Sequence, residues 1–202
     1  ILHLLYARFF TKGISKINSK INFSEPFENL FTQGMVCHES YKDEEGNWLY
    51  PDEVERVHSN KFVKKKDKSK VMVGPPESMS KSKKNTVDPE EMINMYGADS
   101  IRWFILSDSP PSRDIQWSHE GVSAAFKFIQ KLWSLNSEIL NKKQASSTTE
   151  DIILKKATNK TIYNVTKNLE NFQYNVVIAN IHEIYNIFFQ RLSINKVSNE
   201  TL

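Results

Sequence analysis

The sequence predicts two architectures in tandem, an α/β portion carrying a small β insertion and then an all-α helical bundle. Three observations carry this. Short β-type runs fall at 30–36, 38–41, 48–50 and 71–73 and nowhere later. A strong helix start, Asp88-Pro89-Glu90-Glu91, follows them. From residue 119 onward apolar residues recur at three- and four-residue steps. With 202 residues, 39% hydrophobic and 25% charged, the chain can bury a sizeable core, and its 6 Gly and 7 Pro exclude collagen-like and most low-complexity classes.

Each element has a local cause. Residues 1–12 read as an apolar helix with Leu4, Leu5, Tyr6, Phe9 and Phe10 available for burial. The chain opens on Ile1-Leu2-His3 without an initiator Met or a signal peptide, and so reads as a piece of a longer protein. Pro26 marks a boundary after a polar stretch. Leu30–Val36 reads as a strand in which Gly34 permits close backbone approach. Residues 38–41 and 48–50 flank a turn at Gly46-Asn47, a β-hairpin pattern. Residues 51–70 are strongly polar, an exposed small subdomain or loop.

Farther on, Asp88 is an N-cap with Pro89 at N1, and Gly97 ends that helix. Asp99 or Ser100 is positioned to cap the next, with Ile101, Phe104 and Ile105 on one face. The stripe Val122, Ala125, Phe126, Ile129, Leu132, Trp133 and Leu140 predicts a buried helix face over 119–141, and Trp117 is expected in the core before it. A polar break at 145–149 precedes helices at about 150–170 and 174–192, the latter with Val177, Ile181, Ile184 and Phe188 aligned. Short polar linkers imply antiparallel packing in a bundle.

Charge is unevenly placed. The net charge is +3, yet residues 61–84 hold nine lysines against Asp67 and Glu77, a local +7 on a chain otherwise at −4. Such a segment suits a polyanionic partner, and it also suits a solvated loop. The one cysteine, Cys37, makes neither an intrachain disulfide nor a multi-Cys zinc site, which favours a reducing, cytoplasmic setting. No apolar run nears the roughly 20 residues that span a bilayer, so no membrane partner is expected.

Ser80-Lys81-Ser82-Lys83-Lys84 holds the chemistry. Lysine is a compact charge on a mobile stem, suited to phosphate oxygens. Catalysis of phosphoryl or nucleotidyl transfer is largely positioning plus charge neutralisation. No Walker A pattern is present. Taken alone, the pentapeptide fits a phosphate loop or a solvated surface.

Its surroundings add a resemblance. Met79-Ser80-Lys81-Ser82-Lys83-Lys84-Asn85, then Val87-Asp88-Pro89 and Tyr96-Gly97-Ala98-Asp99-Ser100-Ile101-Arg102, resembles the second signature of class I aminoacyl-tRNA synthetases. Further stretches resemble the leucine-specific, bacterial-type branch: His3-Leu4-Leu5-Tyr6-x-Arg8-Phe9, the run from Pro26 to Val36, Asp114-Ile115-Gln116-Trp117-Ser118, and Phe172 to Ala179. The resemblance implies that residues 1–36 end a Rossmann-like nucleotide-binding catalytic domain and 37–73 are an inserted β-rich subdomain. It further implies that 74–118 hold the lysine loop and stem-contact region, and that 119–202 begin an anticodon-binding-type bundle.

The implied activity is leucine activation by ATP with Mg2+ and transfer to tRNA(Leu), together with the remainder of the same synthetase chain. Lys81 would neutralise ATP phosphates. Ser80 and Ser82 would hold the loop or donate to phosphate, and Met79 would sit near adenine. His3 would line the leucine pocket, Asp99 and Arg102 would brace the loop, and Lys83 and Lys84 would reach tRNA. No metal or zinc site is implied. Ser78 stands where the family usually has lysine. The first class I signature, His-x-Gly-His, does not occur in the chain, so the segment is expected to be inactive alone. The competing readings are a sister synthetase for isoleucine, valine or methionine, and a non-catalytic RNA-binding helical module.

Overall fold

The computed structural model describes residues 2–58, 61–141 and 149–192. Two compact units divide at Thr32/Gln33.

The first unit is one amphipathic helix, α1 (Leu2–Ile17), followed by a segment without regular structure. Glu25 anchors that segment to the helix, through Arg8 Nε at 2.7 Å and Lys12 Nζ at 3.3 Å. The helix runs farther than residue 12, and its apolar face is not buried as the sequence suggests. Leu5, Tyr6, Phe9 and Phe10 are exposed, because residues 18–32 supply no packed element to cover them.

In the second unit the chain forms β1 (Val36–His38), β2 (Tyr41–Lys42), β3 (Trp48–Leu49), β4 (Val54–His58), β5 (Lys61–Lys64), β6 (Lys70–Val73) and β7 (Glu77–Ser78). Next come α2 (Pro89–Tyr96), α3 (Ala98–Ser107), β8 (Ile115–Gln116), α4 (His119–Asn141), α5 (Thr149–Glu170) and α6 (Tyr174–Leu192). The result is a mixed α/β region of small sheets followed by helices.

One sheet has the order β7-β1-β8, antiparallel on one side (Cys37↔Ser78) and parallel on the other (Val36↔Ile115). The other runs β3-β2-β6-β5-β4 and is antiparallel throughout. Within 51–70, residues 54–58, 61–64 and 70 are therefore strand residues of a five-stranded sheet. Its core is Tyr41, Leu49, Val54 and Val71, with Phe62 packed against them. The hairpin turn is where the sequence places it: Gly46 has φ +86°, a backbone state that glycine adopts without strain. Buried Asp43 accepts from the backbone amides of Glu45 (3.1 Å) and Asn47 (2.8 Å) and from Lys64 Nζ (3.0 Å).

The strand expected over 30–36 is shorter and later. Residues 33–35 have no regular structure, and their partners are a loop: the Gly34 amide donates to the Pro111 carbonyl and the Met35 amide to Asp114 Oδ1, both at 2.8 Å. Ladder pairing starts only at Val36. Gly34 does allow close approach, since a Cβ there would collide with the Arg113 carbonyl.

The second core joins sheet to helices through Met92, Phe104, Ile115, Trp117, Val122 and Ala125. Burying such a side chain is worth roughly 1.5–3 kcal/mol. Ser118 opens α4 by accepting from the Gly121 amide at 3.1 Å. Helix α3 packs on α4 and α6, and α5 along α6. Rings of Phe128 and His182 stack at 3.6 Å between α4 and α6.

Two expectations for the helices need correction. Neither Asp99 nor Ser100 caps α3: its N-cap is Gly97 (φ +79°), and Ser100 Oγ instead donates back to the Tyr96 carbonyl at 2.7 Å. On α4, Trp133 (74% exposed) and Leu140 (77%) face solvent while Leu135 between them is buried, because this part of the helix packs through a different face from the one that holds Val122. Of the polar break at 145–149, residues 145–148 lie outside the described residues.

Candidate functional site: the lysine loop and its cleft

The loop is clamped at both ends by regular structure. Before it, β7 pairs with β1, His38↔Glu77 and Cys37↔Ser78. Ser78 is exposed on this edge. After it, Asp88 Oδ1 accepts from the Glu90 amide at 2.9 Å and starts α2 as the sequence requires. Met79 and Val87 pack against the core cluster from either side of the loop. Between them the chain leaves the sheet in a turn exposed at Lys81 and Ser82.

Its apex is a single 3-10 turn, Lys81–Lys83. Ser80 caps that turn by accepting from the Lys83 amide at 3.3 Å, and its hydroxyl lies 3.2 Å from the Ser82 hydroxyl. Lys84, at φ +54°, ends the turn. Asn85 is completely buried and accepts from the Ser80 amide at 2.8 Å.

The lysines that look alike in sequence are sorted by their neighbours. Lys64 is held by Asp43 and Lys68 by Glu55. Lys83 is held by Glu77; that ammonium, helped by Ser40, keeps the Glu77 carboxyl below its ordinary value. The Lys84 ammonium lies over the Tyr50 ring, 4.9 Å from its centre. Among the described residues, the Lys81 ammonium has no hydrogen-bond or ion-pair partner.

Lys81 lines a cleft of about 1060 Å³ between the β subdomain and the start of α2, with His38, Tyr41, Tyr50, Lys65 and His119. Its ionic lining is mixed, since Asp52, Asp88 and Glu91 also contribute. Burial pushes the His38 imidazole below its usual value and His119 adds to this, while Glu39 opposes it. Burial first, then the Glu39 carboxylate, holds the Tyr41 phenol well above its usual range. Both shifts favour the uncharged forms of these two side chains.

The structure brings Met79, Ser80, Lys81, Ser82, Lys83 and Lys84 together on one loop. Asp99 and Arg102 pair with each other at 3.0 Å on the exposed face of α3. His3 is exposed on α1, in the other unit. Among the described residues no three His, Cys, Asp or Glu side chains group as a metal site. The loop residue that sequence reasoning passed over is Asn85; a lone Asn after lysines signals only a turn until its burial is seen.

Comparison with known proteins assigns the family. The class I tRNA synthetases (I, L, M and V) match residues 68–118, a stretch containing the whole loop. The chain is 43% identical over 200 residues to a leucine–tRNA ligase of Azorhizobium caulinodans, covering 96% of this chain and 23% of the relative. It is 48% identical over 188 residues to that of Gluconobacter oxydans, covering 91% and 21%. A crystal structure of a LeuRS–tRNA–LeuAMS ternary complex from Agrobacterium radiobacter K84 shares the fold at a TM-score of 0.64. At 23% identity it covers 94% of this chain and 21% of that one. The chain belongs to the class I aminoacyl-tRNA synthetases. Within that class it corresponds to one part of a leucine–tRNA ligase, spanning 21–23% of the length of these two relatives. Among the described residues no helix is long and apolar enough to cross a membrane.

Proposed function

We propose that this segment supplies the triphosphate-neutralising loop of a leucine-activating ligase, and that Lys81 is its catalytic residue. A leucine carboxylate oxygen attacks the α-phosphorus of ATP, the bond to the bridging oxygen breaks, and pyrophosphate leaves with the added negative charge. Mg2+ supplies further charge neutralisation on the phosphates when bound. The observation that supports Lys81 over the other lysines of the loop is that its ammonium lines the cleft unengaged, while Lys83 is paired with Glu77 and Lys84 lies over Tyr50; Lys65 shares the cleft but stands outside the loop. Ser80 and Ser82 shape the turn, and Met79 anchors it beside the adenine.

The remaining roles follow the family. His3 lines the leucine side-chain pocket, in a Rossmann-like catalytic domain that residues 1–36 complete. Residues 37–73 are its inserted subdomain, 74–118 hold the loop and stem-contact region, and 119–202 begin a bundle that reaches tRNA(Leu). Asp99 and Arg102 brace α3 behind the loop. Lys84, and Lys83 once Glu77 releases it, contact tRNA phosphate in a salt-dependent way. The setting is cytoplasmic.

Leucine-dependent ATP–pyrophosphate exchange tests this. Lys81→Ala in the full-length ligase should lower kcat by about a hundred-fold or more, the scale of losing one transition-state charge donor, with little change in the leucine KM. The 202-residue chain alone should show no exchange. An equal loss in leucine binding, or robust exchange by the segment alone, refutes the assignment.

A further inference from the structure

Asn85 is 0% exposed, at the base of a loop otherwise made of exposed or half-exposed polar side chains. Its amide oxygen accepts from the Ser80 amide at 2.8 Å. Its amide nitrogen lies 3.3 Å from the His38 carbonyl, 3.4 Å from that of Glu77 and 3.5 Å from that of Ser78. One side chain thus ties the start of the lysine turn to the ends of β1 and β7. The turn's own bonds are long, 3.3 Å for both Lys83 N to Ser80 Oγ and Lys84 N to Lys81 O. The pair between Lys83 and Glu77 is partly solvated. The 2.8 Å bond is the shortest of these, and because the Asn85 side chain is buried, breaking it leaves a buried polar group unpaired.

We infer that Asn85 is a positioning residue that acts through Lys81, holding the 80–84 turn in the shape that presents that ammonium to the cleft. The chemistry requires an amide. It must accept from one backbone N–H while donating towards carbonyl oxygens on its other side. A carboxylate would set negative charge against those oxygens, and leucine, of similar volume, would leave both sides unpaired. For catalysis the inference rests on the Lys81 reading above; for the shape of the loop it does not.

Amide hydrogen exchange of the 202-residue chain tests the shape. In Asn85→Ala, and in Asn85→Leu, the Ser80 and Lys83 amides should exchange about ten- to a hundred-fold faster, as expected for losing a buried hydrogen bond. Amides within α4 and α6 should be unchanged. Asn85→Ser, smaller and still polar, serves if Ala does not fold. Unchanged exchange at Ser80 and Lys83, or a uniform acceleration of all amides, overturns the inference.

In the full-length ligase, Asn85→Ala should lower kcat for ATP–pyrophosphate exchange about ten-fold or more at an unchanged leucine KM. The Lys81→Ala, Asn85→Ala double variant should be no slower than Lys81→Ala, because both act on one ammonium. Additive losses overturn the coupling. Should Lys81→Ala leave turnover intact while Asn85→Ala still releases the Ser80 amide, the catalytic reading fails and the positioning of the loop stands.

Discussion

Replacing Gly34 by alanine probes the joint on which the small sheet is built. The added Cβ would collide with the carbonyl of Arg113 and stand 2.6 Å from the Asp114 amide nitrogen, both backbone atoms that cannot rotate away. One of the two segments must move. That strains the Gly34–Pro111 and Met35–Asp114 hydrogen bonds and the bond from the Ile115 amide to the Met35 carbonyl, all 2.8 Å. At central values overpacking costs about 2 kcal/mol and each bond lost about 1 kcal/mol, so losing one to three of these bonds makes the total about 3–5 kcal/mol. At about 2–4 °C per kcal/mol for a chain of this size, Tm should fall by roughly 6–20 °C.

Thermal and urea unfolding measure this, with Gly13→Ala as the opposite control. Nothing lies within 4 Å of a Cβ at Gly13, which sits inside α1. Alanine there should raise helix stability by about 0.5–1 kcal/mol, read by far-UV circular dichroism. A Gly34→Ala variant within about 0.5 kcal/mol of the parent would show that residues 33–35 do not press on 111–114 in solution.

Two further outcomes follow from charge. The Asp43 carboxyl is buried, which alone would raise its pKa, but the Lys64 ammonium and the Asn47 donors outweigh this and hold it at about 2. A depressed folded pKa contributes stability that is complete above the unfolded value near pH 4 and lost as pH falls towards about 2; urea midpoints across that window should drop less steeply in Asp43→Asn, and parallel curves would refute the linkage. Ser78→Lys restores a second lysine at an exposed strand position, so the fold should change by no more than about 0.5 kcal/mol. ATP–pyrophosphate exchange by the full-length ligase should rise several-fold in kcat, and unchanged turnover would show that the serine costs the site nothing.

Legibility in the sequence tracked how local the cause was. Asp88-Pro89 and Gly97 bound α2 because capping is decided within a few residues, and Gly46 turns the hairpin for the same reason. Helices α4 and α6 are visible in their apolar period, yet that period does not report which face the neighbours cover, and so Trp133 and Leu140 are exposed where it predicts burial. The run 30–36 reads as a strand from its composition, yet the Gly34 and Met35 amides bond to a loop almost eighty positions away and ladder pairing starts only at Val36, a partner choice that composition does not carry.

The site divides along the same line. A block of nine lysines reads as one positive stretch, since sequence carries no sign of which carboxylate each will meet. Asp43 lies 21 residues from Lys64, Glu55 13 from Lys68 and Glu77 6 from Lys83, and these pairings remove three of the cations. Within the 80–84 turn, the Glu77 carboxylate and the Tyr50 ring engage Lys83 and Lys84 and leave the Lys81 ammonium unengaged; among the described residues Lys65, outside the loop, is the other unengaged lysine on the cleft. A loop lysine serves an incoming triphosphate only if no internal anion has to be displaced first, because each displaced pair would subtract from the binding and charge stabilisation gained. Asn85 fits this logic as a neutral anchor: it secures the turn with hydrogen bonds at a place where an acidic anchor would have drawn a lysine inward.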